Sequence, residues 1–121
     1  MSKRNLTLLT DLYELTMMQG YFHNHATERV VFDLFYRQNP DEGGYAVCAG
    51  LAQVIDYIKS LHFDYDDIDY LRGLGVFEED FLDYLASFHF TGNIYAIPEG
   101  TVVFPREPLI KVVAPIMEAQ L

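Results

Sequence analysis

Three side chains stand where they could do chemistry: Asp11, Tyr13 and Arg37. The first two fall in LTLLTDLYELTMMQGYF, residues 6–22, at the mouth of an otherwise apolar helical pattern. Asp11 is suited to an N-cap, whose carboxylate satisfies free amide groups of the first turn. Tyr13 lies about 100° round the helix from Leu12, at the edge of the apolar stripe. A tyrosine there either packs on a neighbouring strand or offers a flat face to a planar ligand. Arg37 closes an aromatic run. Asp33 shares its strand face but sits about 13 Å back at strand rise, too far for a direct pair. The guanidinium fork suits phosphate or carboxylate. Solvent exposure, or a pair with Asp41 or Glu42, accounts for Arg37 equally well.

Other chemistry-bearing residues lack the partners they need. His23 and His25 are two apart at a helix end, where they do not converge on one ion, and no Cys or carboxylate cluster completes a metal site in the sequence. Cys48 sits in an apolar run without a positioned base. The acid run 64–69 lacks the glycine and terminal glutamate of a calcium loop, and reads as an acid-capped helix start. Gly43-Gly44 is not a dinucleotide fingerprint. No residue of this chain is assigned a catalytic or metal-binding role.

These side chains need elements to position them. Asp11 with Glu14 resembles a capping box, and Leu12, Leu15, Met18 and Phe22 recur at helical spacing, so a helix is expected over 11–22. Residues 30–37 alternate as a strand, with Val30, Phe32, Leu34 and Tyr36 on one face. Asn39 to Gly44 is a loop. Residues 45–48 form a short buried strand, and 51–61 a helix, with Gly50 allowing close backbone approach. Two acid-led helices follow, over 66–71 and 78–88. Residues 94–97 and 101–104, joined by Pro98-Glu99-Gly100, read as a tight hairpin, and 109–113 extends it into a meander. A short helix begins at Ala114-Pro115.

Composition sets the limits. The chain has 121 residues, 50% hydrophobic and 21% charged, with a formal charge of -10, which suits one α+β domain with a mixed sheet or meander and flanking helices. Eight scattered basic residues argue against a nucleic-acid partner. One cysteine implies no oxidising compartment, and no apolar run approaches the length of a membrane span, so the cytoplasm is expected and a membrane partner is not.

Three blocks together resemble a known family. Thr10-Asp11-Leu12-Tyr13-Glu14-Leu15-Thr16-Met17, Phe32-Asp33-Leu34-Phe35-Tyr36-Arg37, and Pro98-Glu99-Gly100 with Phe104-Pro105 and Glu107-Pro108-Leu109 are similar to the N-terminal part of nicotinate phosphoribosyltransferases. The resemblance implies the N-terminal domain of a type II phosphoribosyltransferase over 1–113, with 114–121 opening the helix that leads to an irregular α/β barrel absent here. It implies an NAD-salvage enzyme that joins nicotinate to phosphoribosyl pyrophosphate with ATP hydrolysis, using ATP and Mg that this segment does not itself bind. It also implies a homodimer in which one subunit's N-terminal domain closes the other's site. Tyr13 would stack on the pyridine ring with Asp11 beside it, and Arg37 would reach the phosphate or pyrophosphate. Alone, the segment is expected to be inactive. The competing expectation is a small non-enzymatic domain for partner binding or oligomerisation.

Overall fold

The structure, a computed structural model, describes residues 4–121. Helix α1 spans Leu12–His23, followed by strand β1 at Arg29–Leu34. After a single 3-10 turn at Pro40–Glu42 come β2 at Ala46–Val47 and α2 at Leu51–Ser60. Helices α3 (Tyr65–Gly73) and α4 (Glu79–Ala86) precede β3 at Asn93–Ala96. The chain ends with β4 at Val102–Val103, β5 at Ile110–Pro115 and α5 at Ile116–Gln120.

The core is helical. Leu15 and Met18 of α1 meet Ile68 and Leu71 of α3 and Phe81, Leu82 and Leu85 of α4, with Phe63, Phe77 and Phe88 closing the cluster. Rings interlock: Phe22, Phe81 and Tyr84 lie with centroids 5.3–6.2 Å apart, within the range of favourable aromatic pairing. The stripe expected on α1 is only half realised. Leu15 and Met18 are buried, Phe22 packs against the cluster, but Leu12 is 52% exposed.

The α+β class holds, but strand pairing departs from the expected hairpin. β3 does not pair with β4. A three-stranded antiparallel sheet has the order β1-β5-β3, and β4 pairs instead with β2. The loop at Pro98-Glu99-Gly100 is held by a distant segment. Gly100 donates its amide to the Cys48 carbonyl at 2.8 Å, and the Cys48 amide donates to the Thr101 carbonyl at 2.8 Å. These bonds redirect the chain from one sheet to the other. β2 is also less buried than expected, with Val47 exposed.

Helix starts follow the local chemistry with two corrections. Asp64 and Asp67 form a reciprocal capping box on α3, with Asp67 N–H to Asp64 Oδ1 at 2.9 Å and Asp64 N–H to Asp67 Oδ2 at 3.0 Å. Asp11 forms no such box, since its side chain makes no cap bond and Glu14 accepts from the Thr10 hydroxyl. Gly50 is required for its left-handed backbone, φ 101°, rather than for close approach: a Cβ there would find nothing nearer than 4.0 Å. The last helix starts at Ile116, because β5 continues through Ala114 and Pro115.

Candidate functional site

The first turn of α1 presents Asp11 and Tyr13 to solvent. Asp11 has extended backbone, and its carbonyl accepts the Glu14 amide at 3.1 Å, so its main chain starts the helix while its carboxylate stays exposed. Tyr13 is 57% exposed, and no ring contact involves it among the described residues. Met17, one turn further on the same face, is also exposed. Tyr13 and Met17 thus leave an apolar patch open to solvent.

Arg37 follows β1 where the strand leaves the sheet. Its neighbour Tyr36 is anchored twice. The Tyr36 carbonyl accepts the Arg106 amide at 2.8 Å, and the Tyr36 hydroxyl can donate to the Val103 carbonyl at 3.0 Å or to Asn39 Oδ1 at 2.9 Å. Desolvation, and secondarily the Glu107 carboxylate, raise the Tyr36 phenol above its ordinary pKa, so the hydroxyl stays protonated as a donor. Arg37 itself is exposed and forms no ion pair with Asp41, Glu42 or any other acid among the described residues. The backbone just before this cation is fixed, while its charge has no acidic partner among the described residues.

No hydrogen bond, ion pair or ring contact links Arg37 to Asp11 or Tyr13 among the described residues. None of the three lines either of two cavities, one bounded by Asn5 and Ser60 and one between α2 and the β1-β5-β3 sheet.

Spatial neighbours missed in the sequence are Glu78 and Asp80, which α4 brings beside His23. The three ligand atoms lie within 4.8 Å of one another, and His23 Nε2 is 3.4 Å from Glu78 Oε2. All three are exposed, and Gln19 fastens the same corner by accepting the Glu78 amide at 2.8 Å and donating to the Val76 carbonyl at 3.0 Å. The corner reads as a clamp between α1 and α4. Its carboxylates come from the N-cap and first turn of α4, which no local pattern around His23 could reveal.

Two helix N-termini, natural seats for phosphate, already hold the chain's own carboxylates. Glu99 accepts the Gly50 amide at 2.7 Å at the start of α2, and Asp64 caps α3. Hydrogen bonds to the Asp67 amide and then to Asn5 hold the Asp64 carboxyl below its usual pKa, so that terminus stays anionic. The Arg72 guanidinium is committed to Glu79 through a two-pronged contact at 2.7 and 3.1 Å.

Comparison with solved structures defines the class first. The fold superposes on part of a human nicotinic acid phosphoribosyltransferase with a TM-score of 0.81 and 30% identity, covering 92% of this chain and 23% of that one. A nicotinate-nucleotide pyrophosphorylase from Pyrococcus furiosus shares the fold at 16% identity and a TM-score of 0.68, over 99% of this chain and 24% of that one. The class is an α+β domain that forms about a quarter of larger proteins.

Sequence comparison then supplies the family. The profile of the nicotinate phosphoribosyltransferase (NAPRTase) N-terminal domain matches residues 8–121. A nicotinate phosphoribosyltransferase of Mycobacterium tuberculosis is 48% identical over 94% of the chain, and one of Bacillus subtilis is 42% identical over 97%. The chain belongs to the nicotinate phosphoribosyltransferase family and corresponds to its N-terminal domain. It spans about a quarter of the length of these relatives, 25% and 24% respectively.

Proposed function

We propose that this chain is the N-terminal part of an enzyme joining nicotinate to phosphoribosyl pyrophosphate, releasing nicotinate mononucleotide and pyrophosphate with coupled ATP hydrolysis. The observation that carries this reading is the family match over residues 8–121, within which Tyr13 and Arg37 both stand exposed, Arg37 with no acidic partner among the described residues. Tyr13 provides the stacking face for the pyridine ring, and Asp11 stands at its edge. Arg37 provides positive charge for the phosphate or pyrophosphate. The rest of the longer protein provides the reacting centre and the residues for ATP and Mg.

The chemistry suits this division of labour. Phosphoribosyl transfer builds positive charge on the sugar as pyrophosphate departs, so orientation of the ring and neutralisation of the leaving group carry much of the rate. Stacking on a tyrosine contributes about 1 kcal/mol beyond area burial. An acidic chain of net charge -10 repels an anionic substrate in general, which makes an unpaired local cation valuable. With Tyr13 and Arg37 exposed and outside both of those cavities, the reading places them in a site completed by a second subunit of a homodimer. The cytoplasm is the compartment this activity implies.

The test is turnover of labelled nicotinate with phosphoribosyl pyrophosphate, Mg and ATP. The 121-residue chain alone is expected to make no product, and the same chain extended by the rest of a family enzyme is expected to make nicotinate mononucleotide. An extended protein that folds, dimerises and still turns over no nicotinate overturns the reading.

A further inference from the structure

Arg106 occupies a turn position that suits glycine. Phe104-Pro105-Arg106-Glu107 closes with the Glu107 amide donating to the Phe104 carbonyl at 3.3 Å, and the Glu107 carboxylate accepts the Phe104 amide at 3.0 Å. Proline in second place and a positive φ in third is the pattern of a type II turn, whose third position favours glycine or asparagine. Arg106 stands there with φ 66°. A long charged residue in that left-handed region is uncommon, and such strain concentrates at binding sites.

The turn sets Arg106 beside Arg37. The Arg106 amide donates to the Tyr36 carbonyl at 2.8 Å, and Arg37 is the residue directly after that carbonyl. The β1–β5 ladder fixes the register up to this point: Leu34 faces Ile110, and the Leu109 amide donates to the Leu34 carbonyl at 2.8 Å. Both arginines are exposed, and neither forms an ion pair among the described residues. The acids around them do not neutralise them. Glu107 turns its carboxylate back onto the Phe104 amide, and Asp41 and Glu42 of the 3-10 turn pair with neither. Other arginines of the chain are committed, Arg72 to Glu79 at 2.7 Å and Arg29 to the Val113 carbonyl at 3.1 Å. Two neighbouring like charges repel, and an anion shared between them reverses the sign of that interaction.

We infer that Arg106 is a second cation at the Arg37 position, and that the two guanidinium groups together hold one phosphate or pyrophosphate group of the substrate. Two planar forks can engage more oxygens of such a group than one, with a defined geometry. In a chain of net charge -10, a pair of cations raises the local potential where a single one is largely offset. Arg106 binds and orients the anion and takes no part in bond making. The inference deepens the proposed phosphoribosyl transfer and rests on that reading.

Steady-state kinetics of the extended enzyme tests it. Arg106→Gly suits the turn backbone better than arginine does, so it removes the charge while keeping the fold. It is expected to raise KM for phosphoribosyl pyrophosphate by about tenfold, the loss of one charge-assisted hydrogen bond. KM for nicotinate is expected to stay at its wild-type value, and the thermal midpoint to hold or rise. Arg106→Asn, the other residue that tolerates this backbone, is expected to give the same loss, and Arg106→Lys to restore most of the affinity. Lys59→Ala, which removes a cation from α2, is expected to change neither constant. Two results overturn the inference and leave the nicotinate reading standing. One is a wild-type KM for phosphoribosyl pyrophosphate in both Arg106→Gly and Arg106→Asn. The other is an equal rise in Lys59→Ala, which assigns the effect to overall charge. A wild-type extended enzyme that turns over no nicotinate overturns both.

Discussion

At the scale of single residues, Gly92 shows how much one missing methyl decides. A Cβ at Gly92 would sit 2.4 Å from the Ala114 Cβ and 2.8 Å from the Val113 carbonyl oxygen, so β5 and the start of β3 approach only because this position has no side chain. Gly92→Ala is expected to destabilise the fold by about 1–3 kcal/mol, read as a lowered midpoint in thermal or urea unfolding. Asp64 and Glu79 set the acid limit. Both carboxyls are held below their ordinary pKa, Asp64 mainly by the Asp67 amide and Glu79 mainly by Arg72. Because the folded values are depressed, their contribution is complete above the unfolded carboxylate range and disappears as pH falls below about 4. Asp64→Asn is expected to flatten the fall in unfolding midpoint between about pH 4 and 2, measured as a pH series beside wild type. At Asp64 the sequence showed an acid-led start but not the box itself, because the helix begins at Tyr65, one residue before the expected 66. The box spacing at Asp11 and Glu14 misled, since Thr10 competes for the Glu14 carboxylate.

At the scale of elements, Glu99 acts between segments distant in sequence. Its carboxylate accepts from the Gly50 amide at 2.7 Å and lies 3.4 Å from the Ala52 amide, placing an anion on the positive end of α2. Glu99→Ala is expected to cost about 1 kcal/mol and to speed amide exchange selectively in the first turn of α2, which hydrogen-exchange mass spectrometry resolves. Helices were the legible part of this fold. Their apolar spacing and acidic starts located all four long helices within a few residues. Strand pairing was not legible, because β1 finds β5 across most of the chain and β4 finds β2 across the helices. The Pro98-Glu99-Gly100 turn carried a correct signal for a turn and a false one for a hairpin, since its partners, Cys48 and Gly50, are invisible to local periodicity.

At the scale of the whole molecule, the chain is a stable helical core with an under-covered sheet. Eleven residues of the buried cluster come from helices and their connecting turns, whereas five of the six residues of β1 are exposed. The core is expected to carry the isolated chain: Phe81→Ala, at a wholly buried ring, should cost about 3–5 kcal/mol and leave no cooperative unfolding transition in a domain this small. Residue types at Asp11, Tyr13 and Arg37 could be picked out in advance because they interrupt apolar patterns. What the sequence left open was the choice between packing and exposure: Tyr13 and Arg37 both stay exposed, as does Asp11.

The central claim, that Tyr13 and Arg37 serve a site completed outside this chain, is tested most directly by steady-state kinetics of the extended enzyme carrying Tyr13→Ala or Arg37→Ala. The account predicts that Tyr13→Ala raises KM for nicotinate by about five- to tenfold, the loss of one ring-stacking contact. Arg37→Ala is predicted to lower kcat/KM for phosphoribosyl pyrophosphate by about a hundredfold, the loss of one charge at the leaving group. Wild-type constants for both substrates in both variants would contradict it.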